Sequence, residues 1–274
     1  MKNNTLKNTF KFSPLLLVIL AVYLSPFYIM TAIAFKNPTD QSSYWKFASN
    51  PTWENFGVAI QNAGVLESLG RTAIITFFVL LIAVVISALG AYPLARRQTK
   101  LNKAIQAFVL GVMMVPPLSI LVSLYSVIVE MGGVNQYWAI ILVMVTYQLP
   151  QAMFLYINFI TAIPVALDEA ATIDGCGPIR TFFHIILPQL KPVTASVIIL
   201  ACVNCWNDYQ FSRYILQSTD MNTVTLSISS FFSQTYSNLY AASASALLGI
   251  LPVVIVFLFL QKYFVQGMID SAVK

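Results

Sequence analysis

Charge is scarce in this chain. Lys, Arg, Asp and Glu together supply 9% of its 274 residues, against roughly a quarter in a water-soluble domain, while 58% are hydrophobic and the mean hydropathy is +0.76. A soluble globule and a disordered chain are both excluded. Histidine occurs once, as His184, and cysteine three times, as Cys176, Cys202 and Cys205. Cys202 and Cys205 form a CxxC pair, but no second pair and no nearby histidine complete a zinc set, so they read as small residues in a packed apolar helix. A lone histidine supplies neither a metal set nor a nucleophile pair, and no Ser, His and Asp constellation can be placed in one site. None of the eleven glycines precedes a lysine, so the phosphate-cradling Gly-x-x-x-x-Gly-Lys-Ser/Thr loop is missing. Any ATP-driven work must come from another chain. The net charge is +5, yet the basic residues fall in several short stretches and make no continuous patch for nucleic acid.

What the chain has instead is long intervals without charge. A bilayer core of about 30 Å takes about 20 helical residues to cross. Between Lys11 and Lys36 lie 24 uncharged residues, between Arg71 and Arg96 another 24, and between Lys103 and Glu130 a further 26. A fourth span begins after the Met131-Gly132-Gly133 turn, a fifth carries Asp208 inside it, and a sixth follows a polar Ser, Thr and Asn segment. The expected spans are 12–35, 72–95, 104–129, 137–160, 192–215 and 241–261. Apolar residues run through each without alternation, which implies helices and not barrel strands. The fold class is therefore an all-α membrane protein of six transmembrane helices forming a single domain over residues 1–274. The first span exceeds the 7 to 15 apolar residues of a signal peptide, so it is read as retained, although Ala32-Ile33-Ala34 resembles a cleavage site.

Orientation follows from the basic residues that flank the spans. With the N-terminus inside, the inner segments hold Lys2, Lys7, Lys11, Arg96, Arg97, Lys100, Lys103, Arg180, Lys191, Lys262 and Lys274, eleven of the fifteen. The outer segments hold Lys36, Lys46, Arg71 and Arg213. Both termini are thus expected in the cytoplasm.

Between spans four and five the chain devotes residues 163–190 to a segment that does not cross. Pro164 suits a first helical turn, Asp168 and Glu169 lie near its positive end, and Gly175 can end it in a left-handed conformation. Pro178 can open a second helix, with Ile179, Phe182, Phe183 and Ile186 on one apolar face and Pro188 limiting it. Asp168, Glu169 and Asp174 against Arg180 and Lys191 give this inner loop a net negative charge. Two readings fit: a docking knob for a basic cytoplasmic partner, or a solvated helix whose acids do no more than cap it.

Glu169-Ala170-Ala171, Asp174-Gly175, Phe182, Ile185 and Pro188 resemble the EAA loop of permease subunits in binding-protein-dependent ABC importers. Trp206-Asn207-Asp208-Tyr209 and the ending from Leu258 to Gly267 are similar to the carbohydrate branch, the maltose-type, MalG-like subunits. The resemblance covers the chain at compatible spacing; Cys176 stands where alanine is common. It implies that Glu169, Ala170, Ala171, Asp174 and Gly175 form a coupling helix seated in an ATPase cleft, and that the tail from Gln266 to Lys274 touches the ATPase. It also implies the partners: a second, MalF-like permease, two ATP-binding-cassette subunits that hold ATP and Mg, an extracytoplasmic binding protein and a sugar. The expected function is ATP-driven import of a sugar or oligosaccharide across the cell membrane, with no cofactor in this chain and no chemistry on the substrate. The alternatives are an ABC permease for another solute such as glycerol phosphate, or an ion-coupled carrier.

A transport path needs polar side chains within the spans. Span three offers Ser119, Ser123 and Ser126; span four offers Tyr147, Gln151 and Asn158 along one face; span five offers Asn204, Asn207 and Asp208 flanked by aromatic rings. Amides, hydroxyls and rings suit neutral sugars, although polar residues also hold membrane helices together. Asp208 lies about 24 Å along its span from Pro192, near the outer end of a roughly 30 Å core, which disfavours a mid-membrane proton relay.

Overall fold

Each charge-free interval forms helix, but two of the six are broken. The computed structural model describes residues 2–232 and 237–272, with side chains for 14–232 and 237–263. Its helices are α1 (Lys2–Ala34), α2 (Glu54–Ala63), α3 (Val65–Arg96), α4 (Lys100–Met113), α5 (Leu121–Glu130), α6 (Tyr137–Ala162), α7 (Ala166–Ile173), α8 (Pro178–Thr181), α9 (Leu187–Gln189), α10 (Lys191–Trp206), α11 (Gln210–Ile215), α12 (Val224–Ser229) and α13 (Leu239–Ala272). Among the described residues, four segments within α1, α3, α6 and α13 are long and apolar enough to cross a bilayer by themselves: Pro14–Ala34, Val65–Arg96, Tyr137–Ala162 and Leu239–Tyr263. The count reaches six if each of two bent pairs makes one crossing.

The first bent pair corrects the expectation of an unbroken third span. Lys100–Met113 and Pro117–Glu130 meet at 89°. Pro116 and Pro117 cause the break: proline carries no amide hydrogen and pushes the residue before it out of helical conformation. Span five is likewise interrupted, at Asn207-Asp208-Tyr209 between α10 and α11. The second bent pair joins Pro178–Gln189 to Lys191–Trp206 at 72°. Pro188 does not end the loop helix as expected. Residues Phe182–Ile186 form a π turn closed by the Leu187 amide on the Phe182 carbonyl, and that wider turn admits a proline ring that would clash in an α-helix.

The chain gathers into two compact units. One comprises Met1–Leu66 and Ser227–Ile250. Its centre is the turn after α1, where Lys36 is completely buried and its ammonium donates to the Ser42 carbonyl, the Ser42 hydroxyl and the Ser43 carbonyl at 2.7, 2.7 and 2.8 Å. Those three bonds use all three of its protons, which makes burial of the charge tolerable. The buried Asn55 amide ties the same turn to α1 by donating to the Ala34 and Lys36 carbonyls. The Phe35 ring packs 4.8 Å from Trp53 and 5.1 Å from Phe56.

The other unit comprises Glu67–Leu226 and Leu251–Lys274. Two apolar clusters occupy opposite ends of α3 and α6. At one end Ile75 and Val79 of α3 meet Ile140, Val143 and Met144 of α6, with Ile128, Phe211 and Ile215. At the other, Ala88, Ala91 and Ala95 of α3 meet Tyr156 and Ile160 of α6, together with Phe182, Ile186 and Val193. Alanine on α3 lets the backbones approach closely, as membrane helices require when water supplies no driving force between them. Tyr156 is fully buried, and its hydroxyl is 2.9 Å from that of Thr194, linking α6 to α10.

Candidate coupling loop and transport path

Helix α7 begins two residues after Pro164 and ends in a left-handed turn. Gly175 has φ +77°, and the Cys176 amide donates back to the Ala171 carbonyl at 2.8 Å. A positive φ at this distance from the last helical residue is the ordinary glycine stop, as the sequence led one to expect. Gly177 is extended and Pro178 opens α8. Of the five expected coupling residues, Glu169, Ala170, Asp174 and Gly175 are exposed, whereas Ala171 is 2% exposed against the loop. Ile173 and Ile179 also project outward, at 86% and 76% exposure. A hollow of about 500 Å³ beside them is lined by Gly177, Pro178, Ile179, Arg180, Phe183 and His184. The His184 Nδ1 lies 3.1 Å from the Arg180 carbonyl of its own helix.

One carboxylate of the loop turns the other way. Asp168 precedes the exposed Glu169, and the roughly 100° step between helical neighbours carries it inward. Its Oδ1 accepts from the Tyr92 hydroxyl at 2.6 Å, and its Oδ2 lies 2.9 Å from Arg96 Nη2, an ion pair out of line for a hydrogen bond. Arg96 Nη1 donates to the Ile160 and Ile163 carbonyls at 3.0 and 2.9 Å. It thereby fills acceptors that α6 leaves open at its C-terminal end, where a cation is favoured. Tyr92 and Arg96 are one turn apart on α3, and the Tyr92 ring packs, tilted, with its centroid 5.4 Å from that of Phe182 in the π turn. The end of α3 is itself fixed: Asn102 of α4 donates to the Pro93 and Arg97 carbonyls, and Gln106 to Leu94.

The polar residues expected to line a path are only partly brought together. A cavity of about 440 Å³ lies among α4, the 117–120 turn, α5 and α6, walled by apolar side chains such as Val112 and Leu124 and by Thr146, Tyr147 and Gln151. The bend between α4 and α5 opens it. The Tyr147 hydroxyl is 3.3 Å from the Pro117 carbonyl, and its ring packs 4.7 Å from Phe211. Ser119, Ser123, Asn158, Asn204 and Asn207 are exposed but do not line this cavity. Ser119 and Asn207 bond to carbonyls of their own segments, and Asn204 Nδ2 is 3.4 Å from Oε1 of the buried Gln148, a residue the sequence did not single out. Asp208 spends its carboxylate on the start of α11: Oδ2 accepts from the Ser212 amide and hydroxyl at 2.8 and 2.7 Å, and Oδ1 from the Phe211 amide at 3.3 Å. This is the geometry of a helix cap.

Residues 83–270 match the family described as binding-protein-dependent transport system inner membrane component. The chain belongs to this family. It is a multi-pass membrane protein with the permease fold. The permease is 42% identical over 258 residues, 94% of each chain, to the melibiose/raffinose/stachyose import permease protein MelC of Bacillus subtilis. It is 29% identical over 94% of its length and 93% of the relative to the maltodextrin transport system permease protein MdxG of the same organism. To the trehalose/maltose transport system permease protein MalG of Thermococcus litoralis it is 30% identical over 92% of each chain. Among solved structures it resembles a chain of a bacterial ABC transporter involved in the import of the acidic polysaccharide alginate, with a TM-score of 0.80 at 16% identity, over 96% of this chain and 98% of that one. That likeness bears on the fold alone. The tail from Gln266 to Lys274 lies outside the described side chains.

Proposed function

We propose that this chain is one permease subunit of an ATP-binding-cassette importer for oligosaccharides, with α-galactosides of the melibiose and raffinose kind as the first candidates. The observation that carries the reading is the 42% identity with the melibiose/raffinose/stachyose permease across nearly the whole of both chains. The bent pair of α4 and α5 then counts as one crossing and the interrupted pair of α10 and α11 as another, giving six spans in a single permease domain with both termini in the cytoplasm. Membership of a binding-protein-dependent family implies a binding protein on the far side. A second, MalF-like permease completes the path, and two ATPase subunits with ATP and Mg drive it.

In this reading α7 is the coupling helix. Glu169 and Asp174 present exposed carboxylates, Ala170 and Gly175 leave room for a close partner, and Ala171 anchors the helix to its own loop. Nucleotide-driven closure of the ATPases moves α7, and the spans follow as levers between inward-open and outward-open states. Tyr147 and Gln151 offer a ring and an amide to a sugar passing the bend of α4 and α5. Ser119, Ser123, Asn158, Asn204 and Asn207 extend that path, and Asp208 holds the segment that carries Asn207.

The test is uptake of melibiose, raffinose and stachyose by proteoliposomes holding the complete complex, with the ATPase crosslinked through Ala170→Cys in a Cys176→Ala background. ATP-dependent uptake with ATPase capture is expected. Uptake abolished by an ionophore at constant ATP would instead establish an ion-driven carrier, and ATP-dependent uptake of glycerol phosphate but of no sugar would replace the substrate class.

A further inference from the structure

Helix α7 is joined to α6 through the short, non-helical stretch Ile163-Pro164-Val165, with Ile163 extended at φ −75° and ψ 130°. Only one residue of α7, Ala171, is buried. A helix anchored so thinly would swivel on that stretch, and a push delivered to its exposed face would be lost as rotation. The polar contacts of Asp168 remove that freedom. Both its oxygens are engaged, one by a neutral donor and one by a cation, and the paired side chains of Arg96 and Asp168 are 11% and 16% exposed. The same guanidinium grips two terminal carbonyls of α6, and the same tyrosine packs against the π turn that follows α8.

We propose that Tyr92 and Arg96, acting through Asp168, are positioning residues for energy coupling: they clamp α7 to the ends of α3 and α6 so that the loop and two spans move as one body. This rests on the reading of α7 as the coupling helix, and nothing in it requires contact with sugar or nucleotide. The three groups form one device. Arg96 needs an anion once its carbonyl partners have drawn it in, and Asp168 is held at a fixed angle only if both its oxygens are occupied. Removing any one member therefore disables the clamp about as fully as removing two.

The complete complex is prepared with Tyr92→Phe, with Asp168→Asn, and with both. Tyr92→Phe keeps the ring against Phe182 and deletes only the hydroxyl, so it tests the clamp even if Asp168→Asn fails to assemble. Three quantities are read: ATPase capture from Ala170→Cys, raffinose imported per ATP hydrolysed, and the change that ATP with vanadate produces in the maleimide labelling rate of Gln151→Cys, which needs no sugar. The expected result is unchanged capture, a several-fold drop in raffinose per ATP, a comparable drop in the labelling change, and a double variant no worse than the worse single one. Conservative Asp168→Glu recovers part of the ratio. Fewer assembled complexes with an unaltered ratio and labelling change would mean a merely structural role and would overturn the clamp. Loss of capture in the otherwise unaltered Ala170→Cys complex would instead overturn the coupling-helix reading beneath it.

Discussion

Asp208 is the acid on which a capping role and a transport role diverge most. Asp208→Ala removes two acceptor contacts at the start of α11 and a third from the Ser212 hydroxyl, whose residue is 2% exposed. Loss of a helix cap costs about 0.5–2 kcal/mol, and a buried hydroxyl left without its acceptor about 1–3 kcal/mol, so the replacement should cost about 2–4 kcal/mol. Asp208→Asn is a finer probe. An amide oxygen placed where Oδ2 now sits keeps both Ser212 bonds and sacrifices only the long 3.3 Å contact with Phe211, at about 1 kcal/mol. At about 2–4 °C per kcal/mol for a chain of this size, thermal unfolding of the purified complex should drop by roughly 5–15 °C for alanine and 2–4 °C for asparagine. Transport by the asparagine variant should persist, because no charge on this group is needed. An asparagine variant with an unshifted unfolding temperature and abolished uptake would refute the argument, since the carboxylate would then be acting on a proton or the substrate.

Three further outcomes follow from the packing. A Cβ on Gly133 would lie 2.9 Å from the Ala139 Cβ and 3.0 Å from the Ile128 Cγ2, so Gly133→Ala should destabilise by about 1–3 kcal/mol through overpacking, measured as a lowered unfolding temperature. Gly175→Ala meets open space but must hold φ +77°, so its cost should be about 1–2 kcal/mol of left-handed strain, with helix content by circular dichroism nearly unchanged. Tyr156→Phe deletes the 2.9 Å bond between α6 and α10 while keeping the ring, and about 1 kcal/mol should be lost with sugar affinity unaltered in binding assays.

Much of this architecture was legible in the chain itself, because missing charge and helix-stopping residues are local signals. The intervals bounded by Lys11, Arg71 and Lys103 marked helices, and Pro164, Gly175 and Pro178 marked the two-helix loop with its left-handed bend. Local signals failed where neighbouring structure intervened. The pair Pro116-Pro117 lay in plain view, yet an uninterrupted apolar run concealed the turn it makes. Pro188 reads as a stop in the sequence, because a π turn cannot be foreseen from its residue alone. Arg96 counted only as a cation at a span end, and Asp168 only as an acid in a first turn. Seventy-two positions separate them, and no spacing rule pairs residues that the approach of α3 and α7 brings together. Of the stripe Tyr147, Gln151 and Asn158 on α6, the first two, one turn apart, share the wall of one cavity, while Asn158, two turns further along, is exposed away from it; Ser119, Ser123, Asn204 and Asn207 lie on the two interrupted spans.

The lysine enclosed by its own turn has a practical corollary for mapping which side of the bilayer that turn occupies. An ammonium whose every proton is committed to Ser42 and Ser43 is a poor nucleophile toward acylating reagents, whereas Lys46, ten residues on, is exposed. Membrane-impermeant succinimidyl esters applied to sealed vesicles would therefore tag the turn at one amine where its composition offers two, and a sidedness assay based on Lys36 would give a false negative.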